Sequence, residues 1–197
     1  INVFGFDIIN TVAYSWSISA AYLFVALLSP FFSSMADYTG MRKSYMKFFT
    51  WLGAISCGLL YFFDPQHIEL GLISFTLATI GYGGSIVFYN SFLPVIAEPK
   101  DQDRISARGY SMGYIGGVVL LIINLAVILG QDALGIKDDS FPARIAFVTV
   151  FVWWIGFAQI TFRRLPKYTY GHGKESKRVF TNGYSELRKV FSKILRS

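Results

Sequence analysis

Five long stretches of the chain contain no charged residue, and they constrain its fold more than any other feature. They cover residues 8–36, 48–63, 70–97, 109–131 and 145–162. A helix rises about 1.5 Å per residue and a bilayer core is about 30 Å thick, so roughly 20 apolar residues span it. Four of the stretches reach or nearly reach that length. Five such stretches leave almost no polar face for water, which argues against a soluble bundle of buried helices.

We therefore predict an all-α, polytopic membrane protein with five transmembrane helices. Only 15% of the 197 residues are charged, against about 25% in soluble domains. The second stretch is short, and its span reaches full length if Lys47 extends its ammonium group to the headgroups. The predicted spans cover about residues 12–35, 45–63, 70–94, 109–131 and 145–162.

The basic residues fall almost entirely on one side of the predicted membrane. With alternating connections, one side holds 16 of the 18 Lys and Arg, and the other holds only Lys137 and Arg144 together with six acids. The positive-inside rule makes the basic side cytoplasmic, which places residues 1–11 outside and the C-terminus inside. This topology accounts for the net charge of +6, so we predict no nucleic-acid partner. The expected partner is the lipid bilayer, and the expected location is a bacterial inner membrane.

The first cytoplasmic connection has the spacing Asp37-x-x-Gly40-x-Arg42-Lys43. Gly40 suits a tight turn in which φ is positive. Asp37 lies at the membrane edge, where it can pair with Arg42 or with the positive N-terminus of another helix. On charge alone, Arg42 and Lys43 are better explained as anchors on the cytoplasmic side. The spacing favours a more specific role.

This spacing between two spans resembles the signature loop of the major facilitator superfamily. Three further segments resemble one branch of it, the bacterial permeases similar to the autophagy-related vacuolar amino-acid effluxer. They are Ser29-Pro30 with Ala36-Asp37, residues 88–97 and residues 104–117. The resemblance runs from about residue 3 to about residue 165. It implies that the five spans correspond to helices 2 to 6, that a first helix precedes them, and that a second six-helix half follows.

The resemblance implies a secondary transporter that moves a small solute, with amino acids as the implied class, by alternating access between two helix bundles. Arg104 and Arg108 lie four residues apart and could clamp an acid such as Asp37, with a solvated charged loop as the equal alternative. The resemblance places both arginines in an inner gate. The residues assigned to the signature loop and gate are Asp37, Gly40, Arg42, Lys43, Arg104 and Arg108.

Polar side chains in the third and fourth spans are the candidates for the substrate path. An Asn side chain is costly against lipid, so it should face protein or a water-filled cavity. Asn90 lies near a span end, where a gating or capping contact explains it as well. For Tyr114, the alternative is an anchor at the membrane interface. The candidates are Tyr82, Tyr89, Asn90, Tyr114 and Asn124.

Small residues in the fourth span suggest close helix packing. Gly113 and Gly117 form a Gly-x-x-x-Gly pair, which allows two backbones to approach each other. The last span, residues 145–162, is almost wholly apolar. It resembles the outer, lipid-exposed sixth helix of the superfamily.

Several classes of function find no support in the sequence. His67 and His172 fall on opposite sides of the predicted membrane, so we expect no two-His metal site. No acid lies in the middle of a span, so a carboxylate that carries a coupling proton is not identified there. We expect no cofactor, and no acidic or histidine cluster indicates an enzyme. The remaining alternative is a non-transporting multi-pass subunit with a regulatory or assembly role.

The character of the chain changes after the predicted bundle of residues 1–165. Residues 166–197 begin with a polar, basic stretch that indicates a flexible cytoplasmic linker. Apolar residues then recur at helical spacing over about 184–196, between basic residues. This predicts an amphipathic helix at the inner membrane surface, with a partner-binding helix as the alternative.

Overall fold

The computed structural model describes residues 2–3, 6–7, 9–63, 68–138 and 140–167. A two-residue strand pair, β1 (Asn2–Val3) and antiparallel β2 (Phe6–Asp7), precedes the helices. Short 3-10 helices cover Leu60–Phe62 and Pro99–Asp101. The α-helices are α1 (Asn10–Thr39), α2 (Arg42–Leu59), α3 (Ile68–Asn90), α4 (Leu93–Ile96), α5 (Gln102–Leu129) and α6 (Phe141–Arg164). The all-α class is confirmed, and the predicted helix at 184–196 lies outside the described residues.

Four helical segments are long and apolar enough to cross a membrane. They are Asn10–Ser33, Ile68–Ile96, Pro99–Leu129 and Phe141–Arg164. The 18-residue helix α2 is not among them, because it carries Arg42, Lys43 and Lys47 in its first turns. The ammonium group of Lys47 lies 5.3 Å from the centroid of the Phe162 ring, against α6. The polytopic membrane architecture is confirmed, with α2 as the weakest of the five predicted spans.

The helices differ from the predicted spans where charge or proline decides their ends. Helix α5 begins at Gln102, before the predicted start at 109, because a helix continues into water beyond its charge-free part. Helix α3 ends at Asn90, before the predicted end at 94. Pro94 has no N–H, and its ring would clash with the carbonyl of residue 90 in a continuous helix. It lies instead in the first turn of α4.

Helices α2 and α3 form the closest pair, and glycines make this possible. A Cβ built on Gly53 would lie 3.1 Å from the carbonyl carbon of Gly81, and one built on Gly81 would lie 2.7 Å from the Phe49 carbonyl oxygen. Only residues without a side chain let the two backbones approach this closely. Beside this contact, Phe49 and Phe88 stack in the buried cluster with ring centroids 5.7 Å apart.

The two ends of the bundle are fixed by hydrogen bonds from basic side chains to carbonyl oxygens. At one end, here called the basic end, Arg42 donates to the Ser91 oxygen at 3.1 Å and Lys43 to the Leu165 oxygen at 2.6 Å. At the opposite end, Arg144 donates to the Phe63 oxygen at 3.3 Å. The connections between the helices therefore alternate between the two ends of the bundle, as five consecutive membrane spans require. The assignment of the basic end to the cytoplasm stays a prediction.

Helix α5 packs mainly on α6 and lies apart from most of α1, α2 and α3. Near the basic end, the Asn90 amide donates to the Tyr110 hydroxyl at 3.3 Å, which joins α3 to α5. On the other side, the Thr149 hydroxyl of α6 donates to Asn124 Oδ1 of α5 at 2.7 Å. The space between these two contacts is the main cavity of the described bundle.

Candidate substrate cavity

A cavity of about 970 Å³ lies between α1, α3, α5 and α6, with Met46 and Thr50 of α2 at its floor. Its volume is in the range of small-molecule sites, which measure about 300–1,000 Å³. Among the described residues that line it, none is Asp, Glu, Lys, Arg or His. The wall is therefore apolar and aromatic, with hydroxyl groups as its main polar atoms.

Tyrosines dominate this wall. Six of the twelve tyrosines in the chain line the cavity, and each is between 46% and 73% exposed. Tyrosines of the same helix share its inward face, as Tyr82 and Tyr89 do on α3, where they lie two turns apart. The six are Tyr14, Tyr22, Tyr82, Tyr89, Tyr110 and Tyr114.

Ring contacts position two of these tyrosines. Tyr82 meets Trp154 edge to face, with centroids 6.2 Å apart. The Trp154 ring in turn lies over Gly53, where a built Cβ would be 3.0 Å from Cζ3. Tyr14 packs on Phe75 with centroids 4.9 Å apart. The same glycine that allows α2 to approach α3 therefore also seats the tryptophan that supports Tyr82.

The structure separates the predicted substrate-path residues into three groups. Tyr82, Tyr89 and Tyr114 line the cavity. Asn90 is not in the lining, but it bonds to Tyr110, which is. Asn124 is half-buried between α5 and α6, where it accepts the hydrogen bond from Thr149. Its polar group is satisfied by a neighbouring helix, which favours a helix–helix role for Asn124, and its predicted place in the substrate path is a matter for the flux assay.

The glycine pair of α5 does not have the predicted packing role within the described chain. A Cβ built on Gly113 or Gly117 would meet no atom within 4 Å, and both residues line the cavity. Close packing is provided by Gly53 and Gly81 instead. The motif in α5 identified small residues correctly, but motif spacing alone does not show which surface a helix face meets.

The loop residues lie where α1 ends and α2 begins. Gly40 has φ 67°, the left-handed turn expected of it, and it caps α1. Arg42 and Lys43 reach the ends of α3 and α6 through the carbonyl bonds of the basic end. Asp37 lies in the last turns of α1, and its side chain is outside what the structure describes. The pairing of Asp37 with Arg104 or Arg108 therefore stays a prediction.

The two arginines at the start of α5 are exposed. Arg104 forms an ion pair with Asp101 at 2.9 Å, one turn away on the same segment. Arg108 follows one turn later, also exposed, at the base of the cavity wall. The described contacts favour the solvated alternative for Arg104, and the gate role of both residues remains a proposal.

Helix α6, which the resemblance placed on the outside of the bundle, also contributes to the cavity wall. Trp153 and Trp154 are half-buried and line the cavity. Tyr14 and Tyr22 were missed as wall residues. Tyr14 and Tyr22, eight positions apart on α1, carried a usable signal, but lipid-facing residues such as Trp16 and Phe24 show the same spacing.

Among the described residues, no group of three His, Cys, Asp or Glu is placed to hold a metal ion. Cys57 is buried in α2, with its thiol 3.9 Å from the Phe147 carbonyl oxygen. The chemistry available to the cavity is therefore binding by rings, hydroxyls and backbone.

A bundle of membrane-length helices around an uncharged aromatic cavity, with this loop at its basic end, defines a polytopic protein of the major facilitator type. The chain belongs to the family described as "Vacuole effluxer Atg22 like", whose model matches residues 1–197. The sequence resemblance to that branch is thereby confirmed.

The similar proteins come from a bacterium and from fungi. The chain is 30% identical over 186 residues to the "Uncharacterized MFS-type transporter YxiO" of Bacillus subtilis, covering 94% of this chain and 43% of that protein. It is 24% identical over 220 residues to "Autophagy-related protein 22-1" of Aspergillus terreus, covering 80% of this chain and 36% of that protein. The bacterial relative is named as a transporter and the family is described as effluxers, and neither name is that of an enzyme. No solved structure matches the chain.

The chain spans less than half of the length of each of these relatives. A transporter's activity depends on both of its helix bundles. The activity, substrate and membrane of the whole protein are therefore matters of proposal.

Proposed function

We propose that this chain forms most of the N-terminal bundle of a secondary active transporter, which moves a small solute by alternating access. In transporters of this kind, the substrate site lies near the bilayer midplane between two helix bundles. The observation that carries the proposal is the tyrosine-lined cavity between α1, α3, α5 and α6.

The depth of the wall residues supports a midplane site. Counted from the starts of the predicted spans, Tyr22 lies ten residues into the span 12–35 and Tyr82 twelve residues into the span 70–94, which corresponds to about 15 Å and about 18 Å. Since a bilayer core is about 30 Å thick, these two rings lie in its middle third. Tyr114 lies five residues into the span 109–131, about 8 Å from the basic end of that span.

The solute class that we propose is amino acids, because the family resemblance implies it. The family description adds effluxer activity for Atg22 and leaves the substrate open. The membrane is proposed to be the cell membrane, with the basic end in the cytoplasm. A second half of the protein would cover the open side of the cavity.

A flux assay on the full-length protein in proteoliposomes tests the transport role. Tyr82→Leu and Tyr114→Leu should reduce the uptake of radiolabelled amino acids by about tenfold or more. Trp16→Leu is the matched control, since this exposed aromatic of α1 is not part of the wall. If the wild-type protein moves no solute, the result favours the alternative function, a non-transporting multi-pass subunit. If the Tyr variants match the wild type, the cavity is not the path.

A further inference from the structure

The lining of the cavity is aromatic and uncharged, so an anion and a cation would interact with it differently. Aromatic rings carry a negative face, and the described lining offers many rings and no ionised side chain. An anion at this depth would meet ring faces and no fixed cation of the described lining, although hydroxyls can donate to it. A cation is attracted by the same faces, most strongly by Trp.

The chain already holds one ammonium group on a ring of this wall. Lys47 places its Nζ 5.3 Å from the centroid of Phe162, within the distance of a cation–π contact. Phe162 lines the cavity and is only 7% exposed. This contact lies at the basic end of the cavity. Deeper in the cavity, the described lining has further aromatic rings and no cationic side chain.

We propose that this wall binds the ammonium group of the transported solute through aromatic ring faces, in place of a carboxylate. The rings that form the site are Tyr82 at the middle depth and Tyr114 nearer the basic end, with Trp153 and Trp154 beside them. This inference rests on the proposed transport function and names the chemical group that this half of the protein recognises. The solute class is therefore amines and ammonium compounds, whether or not they also carry a carboxylate.

Equilibrium binding to the detergent-solubilised full-length protein tests the inference without a membrane gradient. The probe is radiolabelled choline, and the competitors are its neutral carbon isostere and tert-butylacetate, an anion of similar shape. We expect saturable choline binding, with the neutral isostere at least about tenfold weaker and the anion weaker still. Equal competition by the isostere overturns the inference, and so does the absence of saturable choline binding.

A pair of variants separates the ring from the hydroxyl. Tyr114 is the most exposed tyrosine of the wall, at 73%, so its replacement should not disturb folding. Tyr114→Phe keeps the ring face and should bind choline within about twofold of the wild type. Tyr114→Leu should weaken binding by about fivefold or more, while Trp16→Leu should not change it. If the Phe variant loses as much as the Leu variant, the hydroxyl is the determinant and the inference is wrong.

Flux and binding fail independently, which keeps this inference distinct from the transport proposal. Ring-dependent choline binding without any flux would support ammonium recognition by the wall and overturn the transport proposal. Flux of a neutral or anionic solute, together with no ammonium binding, supports transport and removes the inference.

Discussion

Gly53 and Gly81 place the backbones of α2 and α3 in direct contact, with 3.1 Å between the position of a Cβ on Gly53 and the Gly81 carbonyl carbon. This contact holds together the part of the bundle on which the cavity wall is built. Because Gly53 has no side chain, the Trp154 ring also fits against it, and Tyr82 packs against that ring.

Gly81→Ala should therefore destabilise the bundle. Its Cβ would overlap the backbone of Gly53, so the helices must separate. Overpacking of this kind costs about 1–3 kcal/mol, and the higher helix propensity of Ala offsets up to about 1 kcal/mol. We expect a net loss of about 1 kcal/mol or more in the free energy of unfolding, measured by thermal unfolding in detergent.

Gly113→Ala is the matched control, because the same added methyl group would meet no atom within 4 Å. It should leave the midpoint unchanged or raise it. Equal losses for the two variants would show that the α2–α3 contact is not closer than the surroundings of α5.

The sequence predicted the helices better than the faces that they present. Charge-free stretches are a direct consequence of the bilayer, so α1, α3, α5 and α6 were found with small errors at their ends. Gly40 was also predicted correctly, since a left-handed turn has a local cause. The surroundings of Gly113 have no such local cause, because whether a helix face meets another helix, a cavity or lipid depends on residues far away in the chain.

The same reason explains Asn124. The rule that a polar group within a membrane must be satisfied was correct, but it does not say by which partner. Thr149 lies 25 residues away and supplies the partner on α6. Three of the five path candidates line the cavity, and they are tyrosines, whose rings suit an apolar wall.

The hydrogen bond between Thr149 and Asn124 should stabilise the α5–α6 pair modestly. Interhelical bonds of this kind contribute about 0.6 kcal/mol in a membrane protein. Asn124→Leu and Thr149→Val should each lower the stability, and the double variant should lose no more than the larger single loss. Thermal unfolding of the four proteins forms a double-mutant cycle.

Thr76→Val is the control for that cycle, because the Thr76 hydroxyl donates to Leu72 of its own helix. It should show no coupling to Asn124→Leu. Full additivity of the Asn124 and Thr149 losses would mean that their bond contributes nothing. In the flux assay, Asn124→Leu should retain activity, unlike the tyrosine variants.

The bond from Arg42 to the Ser91 oxygen should hold the break between α3 and α4. The guanidinium group donates a hydrogen bond to the carbonyl oxygen of Ser91, the residue that follows the end of α3. Its loss would release the backbone that leads into the single turn of α4. Arg42→Ala should therefore raise the amide exchange rate of residues 95–97 by about tenfold, given the strength of hydrogen bonds to charged groups. Hydrogen-exchange mass spectrometry of that peptide measures this.

Lys100→Ala is the matched control for Arg42→Ala. It also removes one cation at the basic end, but Lys100 forms a solvent-exposed ion pair with Glu98, and such pairs contribute little. Exchange in residues 95–97 should be unchanged. An equal rise in both variants would assign the effect to net charge and not to the bond.

Asp138 should make the start of α6 sensitive to acid. Its Oδ1 accepts hydrogen bonds from the hydroxyl of Ser140, at 2.7 Å, and from the backbone N–H of Ser140, at 2.9 Å. These bonds favour the charged form and hold the pKa of Asp138 below its usual range. A carboxyl group with a lowered folded-state pKa stabilises the folded state above its unfolded pKa of about 3.9, and loses that contribution as pH falls through the folded-state value.

The thermal-unfolding midpoint of the wild type should exceed that of Asp138→Asn at pH near 7, and the difference should shrink as the pH falls below about 4. Asp132→Asn removes a neighbouring charge without these bonds. A difference between wild type and Asp138→Asn that grows on acidification would contradict this role for Asp138.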